Sequence, residues 1–144
     1  EVLNALDIDE ISIEEIMVSS EDVVAISTTV SIEENFDRIQ HTPHTRFPLV
    51  GDNLSDVQGI VYAPSIINNI DGLREGTVTF EEVAAPPMTL SADTTVSDAF
   101  DQFQAQGQEL ALVIQDGEVV GLLTATDTLE AVMGQLEDPL DTEL

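Results

Sequence analysis

The sequence predicts an α+β (α/β) fold made of two β-α-β-β-α repeats packed about a pseudo-two-fold axis. Apolar runs of strand length alternate with capped amphipathic segments, and the order strand, helix, strand, turn, strand, helix occurs twice. Core positions recur at one offset, pairing Ile26 with Leu90, Ile32 with Val96, Phe36 with Phe100, Ile39 with Phe103, Leu49 with Val113 and Val50 with Ile114. After a turn that is two residues longer in the first copy, Gly59 aligns with Gly121 and Ile66 with Thr128. Fixed spacing of this kind indicates an internal duplication.

The composition bounds what the protein can be. The chain has 144 residues, of which 42% are hydrophobic, and this is enough for a packed core. The absence of Cys excludes disulfides and thiolate metal sites. No apolar run approaches the roughly 20 residues that a membrane span needs. We therefore expect a soluble piece with no direct membrane contact.

The net charge is −26, from 29 Asp and Glu against three Arg and no Lys. Nucleic acid and anionic lipid would repel such a chain, so neither is an expected partner. The acids lie in every segment and not in one cluster. This pattern favours adaptation to a high-salt cytoplasm over a dedicated cation-binding surface, and it predicts loss of the fold at low ionic strength.

The first repeat is predicted over residues 11–70. Short helical pieces are expected around Val2, Leu3 and Leu6 and over residues 13–17. The predicted strands are 23–27, 46–50 and 57–62. The capping box Ser31-Ile-Glu-Glu34 begins the helix between the first two strands, and Pro64 begins the helix after the third.

A connecting segment is predicted over residues 71–83, with a polar link at 71–76 and a short helix from Thr79. The second repeat follows over residues 84–134, with predicted strands at 88–90, 110–114 and 119–124. Thr95 caps its first helix, whose inward residues are Val96, Phe100 and Phe103, and Asp116-Gly117 forms a hairpin turn. We expect the last helix to end near Gly134 and residues 135–144 to form a C-terminal tail.

The stretch GLLTATD, residues 121–127, runs from a buried strand straight into a helix. Such a junction presents free backbone N–H groups and the positive end of a helix dipole, which suit a phosphate. Thr124 could bond that phosphate, and Asp127 could accept ribose hydroxyls, as the acidic residue of dinucleotide folds does. Thr-x-x-Asp is equally an ordinary helix start, so the residues alone leave both interpretations open.

Other candidate sites are weaker. His41 and His44 are three residues apart, but no third metal ligand has a recognisable spacing. Three acidic pairs, Glu33-Glu34, Glu81-Glu82 and Glu137-Asp138, are interpreted as solvated faces and helix starts. No nucleophile is placed against a base, so we predict no catalytic residue, no metal ligand and no enzyme.

The closing motif G-h-h-T-x-x-D and four further sequence motifs, which follow one another along the chain, resemble those of a known family. That family is the tandem cystathionine-β-synthase (CBS) domain pair, or Bateman module, of the CorC/HlyC/CNNM magnesium-transporter and hemolysin-like group. Ile16-Met17 with Glu21-Asp-Val-Val resembles "DIM-T-P-R-x-D-V", and His44-Thr-Arg-Phe-Pro-Leu49 resembles "H-S-R-F-P-V". Glu109-Leu-Ala-Leu-Val113 resembles "H-L-A-L-V", and residues 129–138 resemble "L-E-x-h-h-G-x-h-x-D". The resemblance covers roughly residues 11–141.

The resemblance implies a regulatory module that binds an adenine nucleotide between its repeats, forms a homodimer, and lies on the cytoplasmic side of a transmembrane domain of the same full-length protein linked to Mg²⁺ or Co²⁺ transport. By this resemblance the nucleotide-binding residues are Thr124, Asp127, Thr45, Arg46, Phe47 and Pro48. The first copy has Tyr62 and Ser65 at the Thr and Asp positions, so we expect one nucleotide per chain.

The scarcity of cations favours AMP, ADP or Mg-ATP over bare ATP, because a helix N-terminus supplies only about half a positive charge. No covalent cofactor is expected. Ligand binding would shift a conformational population that is transmitted through residues 1–17. The alternatives are a structural dimerisation module with vestigial clefts and a direct Mg²⁺ sensor that uses the acidic surface.

Overall fold

A computed structural model describes residues 10–143, with side chains described through Gly134. The strands are β1 (Val18–Ser19), β2 (Ile26–Ser27), β3 (Arg46–Val50), β4 (Val57–Tyr62), β5 (Met88–Ser91), β6 (Leu110–Gln115) and β7 (Glu118–Thr124). The helices are α1 (Ile32–Gln40), α2 (Ala63–Asn68), α3 (Ile70–Glu75), α4 (Phe80–Val83), α5 (Val96–Gln106) and α6 (Ala125–Glu143), with 3-10 turns at Ile13–Glu15 and Ser20–Asp22. The α+β class is confirmed, and the predicted helical piece around Val2, Leu3 and Leu6 lies outside the described residues.

The chain divides into two compact units. The first unit is Val23–Pro87, and the described part of the second unit is residues 10–22 together with 88–143. The boundaries predicted for the repeats stay predictions, as does their packing about a pseudo-two-fold axis.

The first unit is built on the sheet β2-β3-β4, in which β2 runs parallel to β3 and β4 runs antiparallel to it. Its apolar side chains meet in one core, formed by Ile26, Phe47, Leu49, Val61, Ile66, Leu73 and Phe80. The predicted inner face of α1, Ile32, Phe36 and Ile39, packs against this core. The unit therefore buries its own apolar residues around its own sheet.

The second unit is built on the sheet β1-β7-β6-β5, with β5 parallel to β6 and the other pairs antiparallel. The predicted Asp116-Gly117 turn is confirmed, because both residues have positive φ, 52° and 79°, as a type I′ hairpin requires. Its core includes Leu90, Val96, Phe103 and Val113, and Ile13 from the segment before β1 is fully buried in it.

The two sheets share one irregularity. In the first unit the register of β3 against β4 shifts between Leu49 and Val50, and in the second unit that of β6 against β7 shifts between Val113 and Ile114. These are the pairs that the sequence offset aligns. A bulge kept at the same place in both copies supports the predicted duplication.

Four elements differ from the sequence predictions. The strand predicted at 23–27 is reduced to Ile26–Ser27. The helix begun by Pro64 ends at Asn68, and the predicted polar link at 71–76 is helix α3, with Leu73 buried in the core and Gly76 ending it in a left-handed conformation. The last helix continues past Gly134 to Glu143, because that glycine does not adopt the positive φ of a helix end.

Candidate functional site

The junction between β7 and α6 holds Thr124 and Asp127. The Ala125 N–H donates to the Glu109 carbonyl over 2.9 Å, which fixes the start of the helix. The Asp127 N–H donates to Thr124 Oγ1 over 3.1 Å, so Thr124 is the N-cap of α6. Thr128 is fully buried, and its hydroxyl donates to the Ala125 carbonyl over 2.7 Å. The interpretation of this stretch as a helix start is confirmed.

The Asp127 carboxylate is half-buried and accepts no hydrogen bond from any described residue. It projects from the first turn of a 19-residue helix. Its two oxygens are therefore available to an incoming hydroxyl donor, while its backbone N–H is already occupied.

The second unit contains a second copy of this cap, at the start of α5. The Asp98 N–H donates to Thr95 Oγ1, also over 3.1 Å. The Val96 N–H is occupied by the Ile11 carbonyl, as the Ala125 N–H is occupied by that of Glu109. The Thr-x-x-Asp geometry alone consequently does not distinguish a ligand site from a cap. The cap formed by Thr95 and Asp98 does supply a matched control for the junction formed by Thr124 and Asp127.

The other residues implied by the resemblance lie in the first unit. Thr45 is exposed, and its carbonyl accepts the Ala63 N–H over 2.7 Å. Arg46 is half-buried opposite Tyr62 in the β3-β4 ladder, with its guanidinium 4.5 Å from the ring centroid. Phe47 and Pro48 are both buried, so their side chains present no surface to a ligand. Only Thr45 and Arg46 offer accessible polar groups.

The surroundings of this hairpin differ from the rest of the chain in charge. Residues 38–51 and 57–70 contain no Asp or Glu, although one residue in five of the whole chain is acidic. Two of the three Arg and both His fall within residues 38–51. The two strands of the β3-β4 hairpin thus form a part of the protein in which an anionic ligand meets little local repulsion, since Asp52 and Asp56 are confined to the turn. This signal is visible in the sequence but is missed when charge is counted over the whole chain.

The corresponding junction of the first unit is built differently. The Ala63 N–H bonds the Thr45 carbonyl just as the Ala125 N–H bonds that of Glu109, so the backbone arrangement is repeated. The N-cap residue is Tyr62, which makes no side-chain cap bond, and α2 has only six residues. The side chains that could bind a ribose or phosphate are not repeated.

The described residues offer neither a metal-ion site nor a membrane-spanning helix. Among the described side chains, no three of His, Asp and Glu lie together in a way that could hold a metal ion. His41 Nδ1 lies 2.8 Å from the Asp37 carbonyl oxygen of its own helix. Across the described part of the chain, each helix is too short or too polar to span a membrane.

The sequence matches the CBS domain family twice, over residues 13–72 and 80–134. A UPF0053 protein of Synechocystis is 33% identical over 113 residues, which are 78% of this chain and 24% of that protein. The magnesium and cobalt efflux protein CorC of Pasteurella multocida is 27% identical over 141 residues, which are 96% of this chain and 46% of CorC. The chain therefore spans less than half the length of these relatives.

Solved structures share the fold. The CBS domain of a Clostridium difficile 630 protein superposes with a TM-score of 0.83 at 27% identity, covering 90% of this chain and 98% of that one. The CBS domain of a bacterial CNNM/CorC family Mg²⁺ transporter in complex with ATP gives 0.82 at 19% identity, covering 92% and 94%. A Klebsiella pneumoniae CBS-domain pair with bound AMP gives 0.73 at 23% identity, covering 86% and 99%.

The two family matches, the repeated sheet irregularity and the relatives agree with the resemblance carried by the sequence strings. The chain belongs to the CBS-domain family, as a CBS pair related to those of CorC and UPF0053 proteins.

Proposed function

We propose that this CBS pair binds one adenine nucleotide and thereby regulates a CorC/CNNM-type Mg²⁺ or Co²⁺ transport protein of which it is part. The observation that carries the proposal is the Asp127 carboxylate, half-buried at the start of α6 and free of hydrogen bonds from the described residues. The relatives named for magnesium and cobalt efflux and the similar structures solved with ATP and AMP support it. No catalytic step is proposed.

In this proposal Asp127 accepts hydrogen bonds from the ribose hydroxyls. Thr124 lies at the positive end of α6, where its hydroxyl and the helix dipole favour a phosphate oxygen. The resemblance also implies Thr45 and Arg46, which offer an exposed hydroxyl and a half-buried cation. Since Phe47 and Pro48 are buried, their proposed contribution is limited to holding the β3 backbone in place.

The negative charge of the protein favours a nucleotide of low negative charge. Arg46 is a single cation, already stacked on Tyr62, in a chain of net charge −26. AMP, ADP or Mg-ATP therefore fits this environment better than bare ATP, whose full negative charge would have no counterpart. The Tyr62 and Ser65 junction lacks the corresponding side chains, so the proposed stoichiometry is one nucleotide per chain.

Thermal unfolding in molar KCl, with and without AMP, ADP and Mg-ATP, tests this proposal. At about 100 times its dissociation constant, a nucleotide should add roughly 2.7 kcal/mol to the free energy of unfolding. Asp127→Ala should abolish this increment, whereas Asp98→Ala, at the matching position of the other Thr-x-x-Asp cap, should retain it. Loss of the increment in both variants, or no increment in the parent protein, would contradict the proposed site.

A second role, dimerisation, is favoured by exposed apolar side chains on the helices that follow the last strand of each repeat. Ile67 on α2 is 68% exposed, and Leu129 and Met133 on α6 are 46% and 48% exposed. Ile67 and Leu129 are equivalent by the same alignment that pairs Gly59 with Gly121. We propose that a second copy of the chain covers them. If no nucleotide stabilises the protein, assembly alone becomes the better account of its function.

A further inference from the structure

The cationic side chains are confined to the first unit. All three Arg and both His lie between residues 38 and 74. The second unit contains no Lys, Arg or His, although Asp and Glu occur throughout it. The second unit therefore supplies no cationic side chain of its own to balance its acidic groups.

In the first unit the cations have partners. Arg38 lies 3.4 Å from a Glu34 carboxylate oxygen and donates to the Ala25 carbonyl over 3.0 Å. Arg74 lies over the ring of Phe36, 5.3 Å from its centroid. Arg38 and Arg74 thus make attractive contacts inside the first unit. Nothing of the kind is chemically available to the second unit.

Within the second unit, residues 10–22 form a strap along the rest of the unit. At one end, the Ile13 N–H donates to the Thr94 carbonyl over 2.8 Å and the Ile11 carbonyl accepts the Val96 N–H. At the other end, β1 contributes only two residues to the sheet, paired with Leu122 and Gly121 of β7. The fully buried Ile13 side chain is its main apolar anchor.

The strap and the surface that holds it carry charge of the same sign. The strap has five acids, all exposed: Glu10, Glu14, Glu15, Glu21 and Asp22. Residues 88–134 carry eight: Asp93, Asp98, Asp101, Glu109, Asp116, Glu118, Asp127 and Glu130. Their mutual repulsion opposes docking of the strap. It is screened within about 3 Å in 1 M salt but reaches about 10 Å in 0.1 M salt.

We infer that ionic strength controls docking of the strap: high salt holds residues 10–22 on β7 and the start of α5, and falling salt releases them before the loss of the fold that the acidic composition predicts at still lower ionic strength. The strap is held by a two-residue strand, the fully buried Ile13 side chain and three partly buried side chains, those of Ile11, Ile16 and Met17. Short segments of this kind open locally before a domain unfolds. The strap is thus a salt-sensitive element built into the fold. This inference does not depend on nucleotide binding.

Amide hydrogen exchange read by mass spectrometry, without nucleotide, tests the inference on the intact chain. On dilution from about 2 M to about 0.1 M KCl, peptides covering residues 11–19 should exchange about tenfold faster, whereas peptides covering residues 46–62 of the first unit should change little. Equal acceleration of both peptides would mean global unfolding, and no acceleration of the strap would mean that charge does not oppose docking. Either result would overturn the inference.

Two charge-reversal variants separate local from total charge. Glu14→Lys/Glu15→Lys/Glu21→Lys changes the strap, and Glu33→Lys/Asp52→Lys/Glu81→Lys changes exposed acids of the first unit by the same amount. The first variant should keep residues 11–19 protected at low salt, and the second should not. Equal protection by both variants would show that net charge of the whole chain controls the strap, which contradicts the inference. The nucleotide-shift experiment on the parent protein is unaffected by any of these outcomes.

Discussion

Gly59 and Gly121, equivalent residues of the two repeats, each leave room for a chain segment that crosses the sheet edge. A Cβ on Gly121 would lie 2.6 Å from the Val18 carbonyl oxygen and against the Met17 sulfur. A Cβ on Gly59 would lie 2.8 Å from the Ala84 Cβ. In both units the glycine pairs with the fourth residue of the neighbouring strand, Leu49 or Val113, directly before the register shift. The sheet edge in each unit is therefore closed by backbone packed on glycine.

Gly121→Ala should destabilise the protein by about 1–3 kcal/mol, because the added methyl group meets backbone that cannot move without undocking β1. Urea unfolding in molar KCl measures the loss. Gly134→Ala is the matched control: no described atom lies within 4 Å of its added Cβ, and alanine should stabilise the interior of α6 by about 0.5–1 kcal/mol. A neutral Gly121→Ala would mean that the strap does not pack on β7 as described.

The repeat structure was predictable because duplication places the same signals twice. The offset that aligns Leu49 with Val113 is reproduced by the register shift that follows each of them. The Asp116-Gly117 turn was also predictable, because its conformation depends on these two adjacent residues. The pairing of β1 with β7 was not predictable in the same way, because it joins residues about a hundred positions apart and β1 is only two residues long.

Asn35 shows another limit of sequence patterns. It lies on α1 among apolar residues and is 1% exposed, while the aligned residue of the second repeat is Ala99. Its side-chain oxygen accepts the Ser27 N–H over 2.9 Å, and its amide donates to the Ser27 carbonyl over 2.7 Å. A polar residue is assigned to the surface by periodicity, and only the backbone of β2 explains why it is inside.

Asn35→Ala should lower the free energy of unfolding by about 2–4 kcal/mol, since it leaves both backbone groups of Ser27 buried without a partner. Asn53→Ala should stay within about 0.5 kcal/mol of the parent, because Asn53 is exposed and its side chain bonds only Ser55. Urea titrations of the two variants in the same buffer make the comparison. Equal effects would show that the Ser27 groups find other partners.

The candidate site was predicted only in part. The sequence identified Thr124 and Asp127 as a junction with two interpretations, and the geometry of the cap confirms one of them without testing the other. The resemblance placed Phe47 beside a ligand, yet the packing of the first unit buries that side chain completely. A sequence motif specifies which residues occur and at what spacing. It does not specify how exposed each side chain is, because exposure depends on packing by the rest of the unit.

Thr124→Ala separates the capping role from the proposed phosphate contact. The variant and its counterpart Thr95→Ala should each lose about 1 kcal/mol of stability, because each removes a hydroxyl that accepts an N–H over 3.1 Å. Only Thr124→Ala should also reduce the nucleotide-dependent increase in melting temperature, and Thr124→Ser should preserve both properties. If the two alanine variants respond identically to nucleotide, Thr124 is a cap and nothing more.

Ile67→Glu tests the proposed dimer. Ile67 is 68% exposed, so a charged side chain there should leave the fold of the chain intact. In a dimer that buries Ile67, the substitution should remove roughly 1.5–3 kcal/mol of association free energy for each copy, because the apolar side chain is no longer buried. Light scattering after size-exclusion chromatography in molar KCl should show the parent protein as a dimer and the variant shifted toward the monomer. Ala105→Glu, which adds the same charge at an exposed position of α5, should leave the dimer unchanged. A parent protein that is monomeric at concentrations well above micromolar would show that these exposed residues serve another purpose. If Ile67→Glu and Ala105→Glu both remain dimeric, the interface lies elsewhere on the chain.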